Sequence, residues 1–557
     1  MNHGPVVLGI NRTQDASACL MHGSTLRWAI QKERLSRVKH HWGRVGDLRD
    51  YYASRLPGLD RPIDVLVECY SSDAEIGNLA AYEDELAATL APAPHALRAR
   101  ISHHVAHLYS AFHPSPFERA AVMVIDGQGS AVADFTDDWS GEGQDDWREV
   151  SSFYLADRER IECLGKQLWD RNERNICGLG MFYFMLTQTM FPGEGNEGKV
   201  MGLAPHGDPH ALRMPPLQVE GGSVHMPEAW RALFAERKRF RYAGAEQTNF
   251  REIANLAAAG QFAFEEALLS VARWLHARTG VDQLCFAGGT ALNCSVNERL
   301  LRDTPFRQIF IPPAPGDAGT ALGCAIYGLT ELAGLRCDFR WRDDYLGPMP
   351  QAAEIEAAIG ALRPDPELLV ERWEAPEPLC ERMTDLLCEG RVLGLYQGRS
   401  EFGPRALGHR SILGDPRDGS MRDWINAHVK QREWFRPLAP IVLRERAAEY
   451  FELTHPAPFM QFAVPVTAYG TERIRATTHV DRSARLQTVG PDDDPLLRAL
   501  LLEFAARTGV PVLLNTSFNR RDEPIVETPA EALATFRATP MHALAMPPFL
   551  VRKRGEG

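Results

Sequence analysis

A layered α/β fold in more than one domain is predicted by three features of the sequence. Apolar runs of strand length, such as Asp64 to Tyr70 (DVLVECY) and Ala121 to Gly127 (AVMVIDG), alternate with segments of helical periodicity. Glycine-rich turns follow several of these runs, as at Gly127 and Gly129 after Asp126, a pattern that recurs where strands hand the chain to a nucleotide. The 557 residues exceed what one ordinary hydrophobic core holds, so two or three domains are expected.

In chain order, residues 5–11, 17–21 and 26–30 read as consecutive strands joined by polar turns. HHVAHLYSAF contains neither Pro nor Gly and predicts a helix. At ~3.6 residues per turn His103 and His107 share one of its faces. Two histidines so spaced can hold a metal, and Asp126, just past the strand 120–125, stands where a carboxylate could join them. The same spacing serves two packed histidines, and spacing alone does not separate the readings. From Leu179, LGMFYFMLTQTMF predicts a core helix; the glycine-dense GEGNEGKVMGLAPHGDP after it, with Lys199 and Asp208, predicts a ligand loop. A helix is predicted from Phe264 to Arg278, with Phe264, Leu268, Val271 and Leu275 on its packing face and Gly280 as its stop. A strand then runs into Gly288 and Gly289 ahead of a helix, which could bring backbone N–H groups to a nucleotide. Asp317 precedes another helix and reads equally well as its N-cap.

The pattern breaks between Tyr345 and Pro350, which divides the chain into domains 1–350 and 351–557. The second part holds helices near 352–362 and 379–388, a strand at 392–396 and the loop GRSEFGPRALGHRSILGDPR. It also concentrates fixed positive charge beside small polar residues: Arg405, Lys430, Arg436, Arg485 and Ser517. Guanidinium groups grip phosphates in pairs of hydrogen bonds, lysine adds a point charge, and converged they would bind a polyanion.

Composition bounds the function. Hydrophobic residues at 45% and charged residues at 24% are those of a globular chain. A net charge of −12 argues against nucleic acid as a partner while leaving room for a local anion pocket. The ten cysteines are scattered with no CxxC pair, which fits a reducing compartment, and the N-terminus has neither a signal-peptide pattern nor a membrane span; a cytoplasmic location is expected.

Read together, QDASACL, HHVAHLYSAF, DGQGS, EGKVMGLAPHG, GGTALNCSVN, GDAGTALG, EFGPRALGHRSIL, KQREWFRP, ARLQTV and LNTSFN resemble, in order, the O-carbamoyltransferases of the nodulation and cephalosporin type, the group containing the tobramycin carbamoyltransferase. The resemblance implies an actin-like, sugar-kinase-like N-terminal domain followed by a YrdC-like α/β domain. It implies that carbamoyl phosphate and ATP form carbamoyl adenylate, which carbamoylates a hydroxyl of a small molecule of secondary metabolism, such as an antibiotic. By motif position His103, His107, Asp126 and Asp317 would hold the metal, iron being the family's usual ion. Two nitrogens and two carboxylates suit Fe(II), Mn or Zn alike. Mg2+ could accompany the ATP. Arg405, Lys430, Arg436, Arg485 and Ser517 fall on the carbamoyl phosphate and ATP site. Gly127, Gly129, Lys199, Gly288, Gly289 and Asn293 fall along the nucleotide of the first domain, and Asp208 is a catalytic candidate. A homodimer is compatible with this picture.

The two substrates are both anionic, so clustered Arg and Lys must offset their repulsion, and a reactive adenylate needs shelter from water. The chain also departs from the family. Gln14 stands where the family usually has the histidine proposed as base, and an amide cannot take a proton at neutral pH; His104, Asp208 or a metal-bound water would then serve. His409 replaces a usual Asn, and Arg482 and Asp522 each replace a usual Gly. Two other readings remain from sequence: a threonylcarbamoyl or protein carbamoyl transferase, against which stand the missing zinc-finger pairs and basic stripe, and a nucleotide-binding module that has lost catalysis.

Overall fold

The computed structural model describes residues 4–53, 55–59, 61–69, 79–244, 247–362 and 365–554. The chain forms two compact units, Met1–Arg342 and Asp343–Gly557.

The first unit is built on two five-stranded sheets. In the first, β1 (Val6–Asn11), β2 (Ser17–His22) and β3 (Thr25–Gln31) form the expected antiparallel meander, and β4 (Pro62–Cys69) and β5 (Ala91–Ile101) extend it in parallel beside β1. Tyr70, the end of the run read as a strand, lies outside the described residues. In the second sheet β6 (Arg119–Ile125), β7 (Arg148–Asp157) and β8 (Ile161–Trp169) are the meander. A small hairpin, β9 (Gln218–Glu220) with β10 (Ser223–His225), lies apart, and β11 (Gln283–Ala287) and β12 (Gln308–Phe310) continue in parallel from β6. The orders β3-β2-β1-β4-β5 and β8-β7-β6-β11-β12 therefore repeat one topology with one set of polarities. That duplication is the actin-like, sugar-kinase-like architecture. β1 and β6 are the central strands, covered on both faces, which is why VVLGIN and RAAVMVI are nearly continuous apolar runs.

Between the halves, helix His103–Phe112 crosses helix Thr320–Tyr327. The crossing depends on Gly323, where a Cβ would run into the backbone carbonyl of Ala106. This close approach carries the turn that precedes the second helix, with Asp317, toward the histidines. One element is longer than its sequence pattern suggests: helix Phe250–Thr279 begins fourteen residues before Phe264. Gly260 costs about 1 kcal/mol inside a helix, but its bare face receives Leu186 and the helix runs through. Gly280 ends it in the left-handed conformation, its N–H on the carbonyl of His276 at 2.8 Å.

The second unit carries one mixed sheet of eight strands. Its order is β13 (Leu368–Arg372), β22 (Phe549–Lys553), β21 (Ala543–Met546), β14 (Leu393–Tyr396), β15 (Arg410–Gly414), β20 (Val512–Ser517), β16 (Ala439–Leu443) and β19 (Gln487–Val489). A separate ribbon pairs β17 (Ala463–Pro465) with β18 (Ser483–Arg485). Val392, Ile412, Leu514, Leu544 and Val551 pack with Ile359, Leu533 and Phe536 of the flanking helices into one core. Arg482 and Asp522 both adopt left-handed backbone, with φ of 62° and 59°.

Candidate functional site

His103 and His107 lie on a fully buried helix and point their Nε2 atoms at each other across 3.2 Å. Oδ2 of Asp126 lies 3.1 Å from His103 Nε2 and 3.3 Å from His107 Nε2, and Oδ1 of Asp317 lies 3.4 and 3.8 Å from the same two atoms. The four donor atoms, one from each residue, thus all lie within 4.8 Å of one another. Asp317 does not cap the following helix; its carboxylate turns to the imidazoles instead.

Surrounding groups hold each donor in place. Asp126 keeps Oδ2 for the histidines because its Oδ1 accepts from the N–H of Gly127 at 2.8 Å and of Gly289 at 3.1 Å. Cys69 Sγ sits 3.5 Å from Nδ1 of His103, leaving Nε2 to face the carboxylates. Thr13 Oγ1 lies 3.0 Å from Asp317 Oδ2, and Asn11 Nδ2 donates to the Asp317 carbonyl at 3.0 Å. Burial opposes charge on His103, yet Asp317, Cys69 and Asp126 outweigh it and hold the ring well above the usual imidazole range. Burial likewise opposes ionisation of Asp126, but the two histidines hold it well below the usual carboxylate range. Two carboxylates aimed at two ring nitrogens that face each other make a pocket that demands positive charge, and N2O2 donors at this separation fit a divalent transition metal.

The neighbouring candidates take other duties. The N–H of Gly288 donates to Pro315, and Gly129 packs its bare face on Glu149 and His104. Asn293 caps helix Cys294–Asp303 and exchanges both amide bonds with Gln261. Lys199 sits in helix Glu197–Leu203, its ammonium 5.8 Å from the Phe191 ring. His104 is sealed from solvent with Nδ1 on Ser152, and burial pushes it down to about 3, so it is a packing histidine and not a base. Asp208 is exposed and its carboxylate caps the turn at His210. Gln14 is half-buried, its carbonyl held by Asn11 at 3.1 Å.

In the second unit the buried Lys430 donates to the Ser517 carbonyl at 2.8 Å and lies 3.1 Å from its hydroxyl, with the Asn519 carbonyl 2.8 Å away. Arg436 and Arg485 lie close enough to repel, and Arg432 joins them. Burial and that repulsion hold Arg432 well below the usual guanidinium range and lower Arg436, while Glu433 lies 3.6 Å from Arg436. Nε of Arg485 is buried without a hydrogen-bond partner. Three guanidinium groups around one carboxylate form a centre short of negative charge. Arg405 is half-buried in the loop Glu401–His409. His409 is structural: its ring stacks on Tyr345 and both nitrogens are engaged, by Arg399 and Asp494. Arg432 and Asn519 give no separate signal in the sequence, although they lie inside the KQREWFRP and LNTSFN motifs.

The first unit thus joins a duplicated sheet to a four-donor cluster, and the second carries a cationic centre. The N-terminal model of the carbamoyltransferases matches residues 78–326 and the C-terminal model matches residues 384–553. Nodulation protein NolO of Bradyrhizobium diazoefficiens is 39% identical over 466 residues, covering 82% of this chain and 79% of that protein. Nodulation protein NolNO of Sinorhizobium fredii is 36% identical over 468 residues, covering 82% of this chain and 64% of that protein. The chain belongs to the carbamoyltransferase family and is a transferase. Among solved structures, full-length HypF in its phosphate- and nucleotide-bound form overlaps 61% of this chain and 57% of its own, at 13% identity and a TM-score of 0.38. No helix among the described residues is long and apolar enough to cross a membrane.

Proposed function

We propose that the protein is an ATP-dependent O-carbamoyltransferase that makes carbamoyl adenylate from carbamoyl phosphate and ATP and passes the carbamoyl group to a hydroxyl of a small-molecule natural product. The observation that carries this reading is the convergence of His103, His107, Asp126 and Asp317 on one point within a member of the carbamoyltransferase family.

The second unit, read as the YrdC-like part, forms the adenylate: water takes the phosphoryl group of carbamoyl phosphate off as inorganic phosphate, and the carbamate oxygen displaces pyrophosphate from the α-phosphorus of ATP. Lys430, Arg436, Arg485 and Arg405 take the phosphate oxygens, with Ser517 adding a hydrogen bond; Arg432 and Asn519 complete the set. Burial and mutual repulsion lower Arg432 and Arg436, a strain that an entering polyanion relieves, so the centre favours the doubly anionic reactant pair. In the first unit His103, His107, Asp126 and Asp317 would hold the divalent metal, Fe(II) by the family's habit. The chemistry such an ion supplies is stabilisation of phosphate charge as AMP leaves. Gly289 and Gly127 keep Asp126 ionised and aimed, and Asn11 and Thr13 do the same for Asp317. The test is pyrophosphate release from ATP that depends on carbamoyl phosphate, followed by a search of hydroxylated metabolites for the mass gain of one carbamoyl group. No pyrophosphate above the level without carbamoyl phosphate would overturn the reading.

A further inference from the structure

Beside the four-donor cluster stands a second group that the proposed reaction has not used. Segments 13–16 and 40–43 are laced by main-chain bonds, Ala16 N–H to the His41 carbonyl at 3.0 Å and Gly43 N–H to the Thr13 carbonyl at 3.1 Å. The lacing brings His40 against Asp15, with Nδ1 of the ring 2.9 Å from Asp15 Oδ1. The His40 main-chain N–H donates to Glu33 Oε2 at 3.0 Å, so carboxylates fix both its ring and its backbone. With Asp15 accepting from Nδ1, the neutral ring carries its lone pair on Nε2.

On its Nε2 side the ring packs against Gly195, at φ +70°, where a Cβ would run into Nε2, so the placement of the imidazole depends on glycine at that position. The ring is about a quarter exposed, at 24%. The dyad also adjoins the metal-type cluster: Nδ2 of Asn11 lies 3.2 Å from the Asp15 carbonyl and 3.0 Å from the Asp317 carbonyl.

We propose that His40, oriented by Asp15, is the base that takes the proton of the acceptor hydroxyl, the task Gln14 cannot perform. This rests on the carbamoyl-transfer reading above. The hydroxyl oxygen bonds to the carbamoyl carbon, the bond from that carbon to the AMP phosphate oxygen breaks, AMP leaves with the bonding pair, and the hydroxyl proton passes to His40 Nε2 and on to solvent. The charged and titratable groups facing the ring are Asp15, Glu33, Lys39 and, from helix Glu197–Leu203, Glu197. Burial disfavours the charged ring, but Asp15 and Glu33 outweigh it and raise His40 above the usual imidazole range, so the neutral form that can take a proton at Nε2 gains as pH rises.

The test uses two probe acceptors with the full-length protein: water, which needs a base, and hydroxylamine, which is nucleophilic without one. Wild-type and His40→Gln proteins are given ATP and carbamoyl phosphate, and the breakdown of bound carbamoyl adenylate to AMP is followed in single turnover between pH 6 and 9. The expected result is that His40→Gln slows the water reaction about 10²-fold or more and loses the acid limb of the pH profile, yet gives hydroxyurea from hydroxylamine at the wild-type rate. Equal water rates in the two proteins overturn the assignment. A His40→Gln protein slow with both probes also overturns it, since the ring would then be positioning the adenylate. If wild type releases no pyrophosphate, the carbamoyl-transfer reading has failed before His40 is questioned.

Discussion

The backbone N–H of Gly289 donates to Oδ1 of Asp126 at 3.1 Å, so a glycine pair placed like a phosphate cradle serves first to aim a carboxylate. A hydrogen bond from a fixed N–H favours the ionised acid and leaves Oδ2 for the imidazoles. The four donors come from three stretches of chain, the helix carrying His103 and His107, the strand end at Asp126 and the turn at Asp317.

The first prediction follows from that construction. If the four donors hold a divalent metal as proposed, His107→Ala removes one of them and should lose most of the transition metal measured in the wild-type protein. Helical content should be unchanged, because His107 lies on a helix secured by its crossing with Thr320–Tyr327. Elemental analysis beside circular dichroism checks both, and full metal content in His107→Ala would remove His107 from the ligand set.

Much of this arrangement is legible in the sequence because it is local. The strands β1 to β4 and β6 announce themselves as apolar runs, and the four-residue spacing of His103 and His107 is enough to put them on one helix face. What is not legible depends on contacts distant in sequence. Asp317 reads equally well as a cap, and only the Gly323 crossing brings it to the histidines. Asn293 looks like a nucleotide contact, and its pairing with Gln261, on a helix longer than its periodicity shows, redirects it. His40 gives no periodic signal at all; only the lacing of 13–16 to 40–43 sets it beside Asp15.

The second prediction concerns pH. Burial, then the charges of Arg158 and Arg340, push His113 down to about 4 from an ordinary 6.5. The unfolded chain therefore binds the extra proton between those values, so His113 costs stability progressively as pH falls from about 6.5 to about 4 and costs nothing above that window. Each full proton of difference is worth about 1.4 kcal/mol per pH unit. His113→Phe keeps the ring stacked near Tyr109 and removes the titration. Urea midpoints should fall less steeply in the variant between pH 6.5 and 4.5; parallel slopes would show that His113 is not the group responsible.

The third prediction uses Arg482 and Asp522, two left-handed residues at positions where the family resemblance leads one to expect glycine. Arg482 holds φ 62° with an exposed side chain, and a residue with a Cβ pays about 1–2 kcal/mol in that conformation, part of which glycine's greater freedom in the unfolded chain offsets. Arg482→Gly should raise stability by about 0.5–1 kcal/mol in urea unfolding without altering pyrophosphate release, and Asp522→Gly, at φ 59°, should act in the same direction. A loss of stability in both would mean that their side chains make compensating contacts.

The fourth prediction separates the two half-reactions. Lys430 is buried with its ammonium between the carbonyls of Ser517 and Asn519, while His103 belongs to the cluster of the other unit, so each step should fail without its own residue. Lys430→Ala should lose carbamoyl-phosphate-dependent pyrophosphate release by about 10²–10³-fold, the usual cost of removing a preorganised electrostatic contact from a sheltered site. Arg436→Ala should behave alike, since it relieves the repulsion that the anions are needed to offset. His103→Ala should still release pyrophosphate, consuming ATP as the stranded adenylate hydrolyses, and should carbamoylate nothing. Synthetic carbamoyl adenylate then discriminates: it should restore product in Lys430→Ala, whose transfer site is intact, and not in His103→Ala. Equal loss of pyrophosphate release in the two variants would place both steps in one site and refute this division of labour.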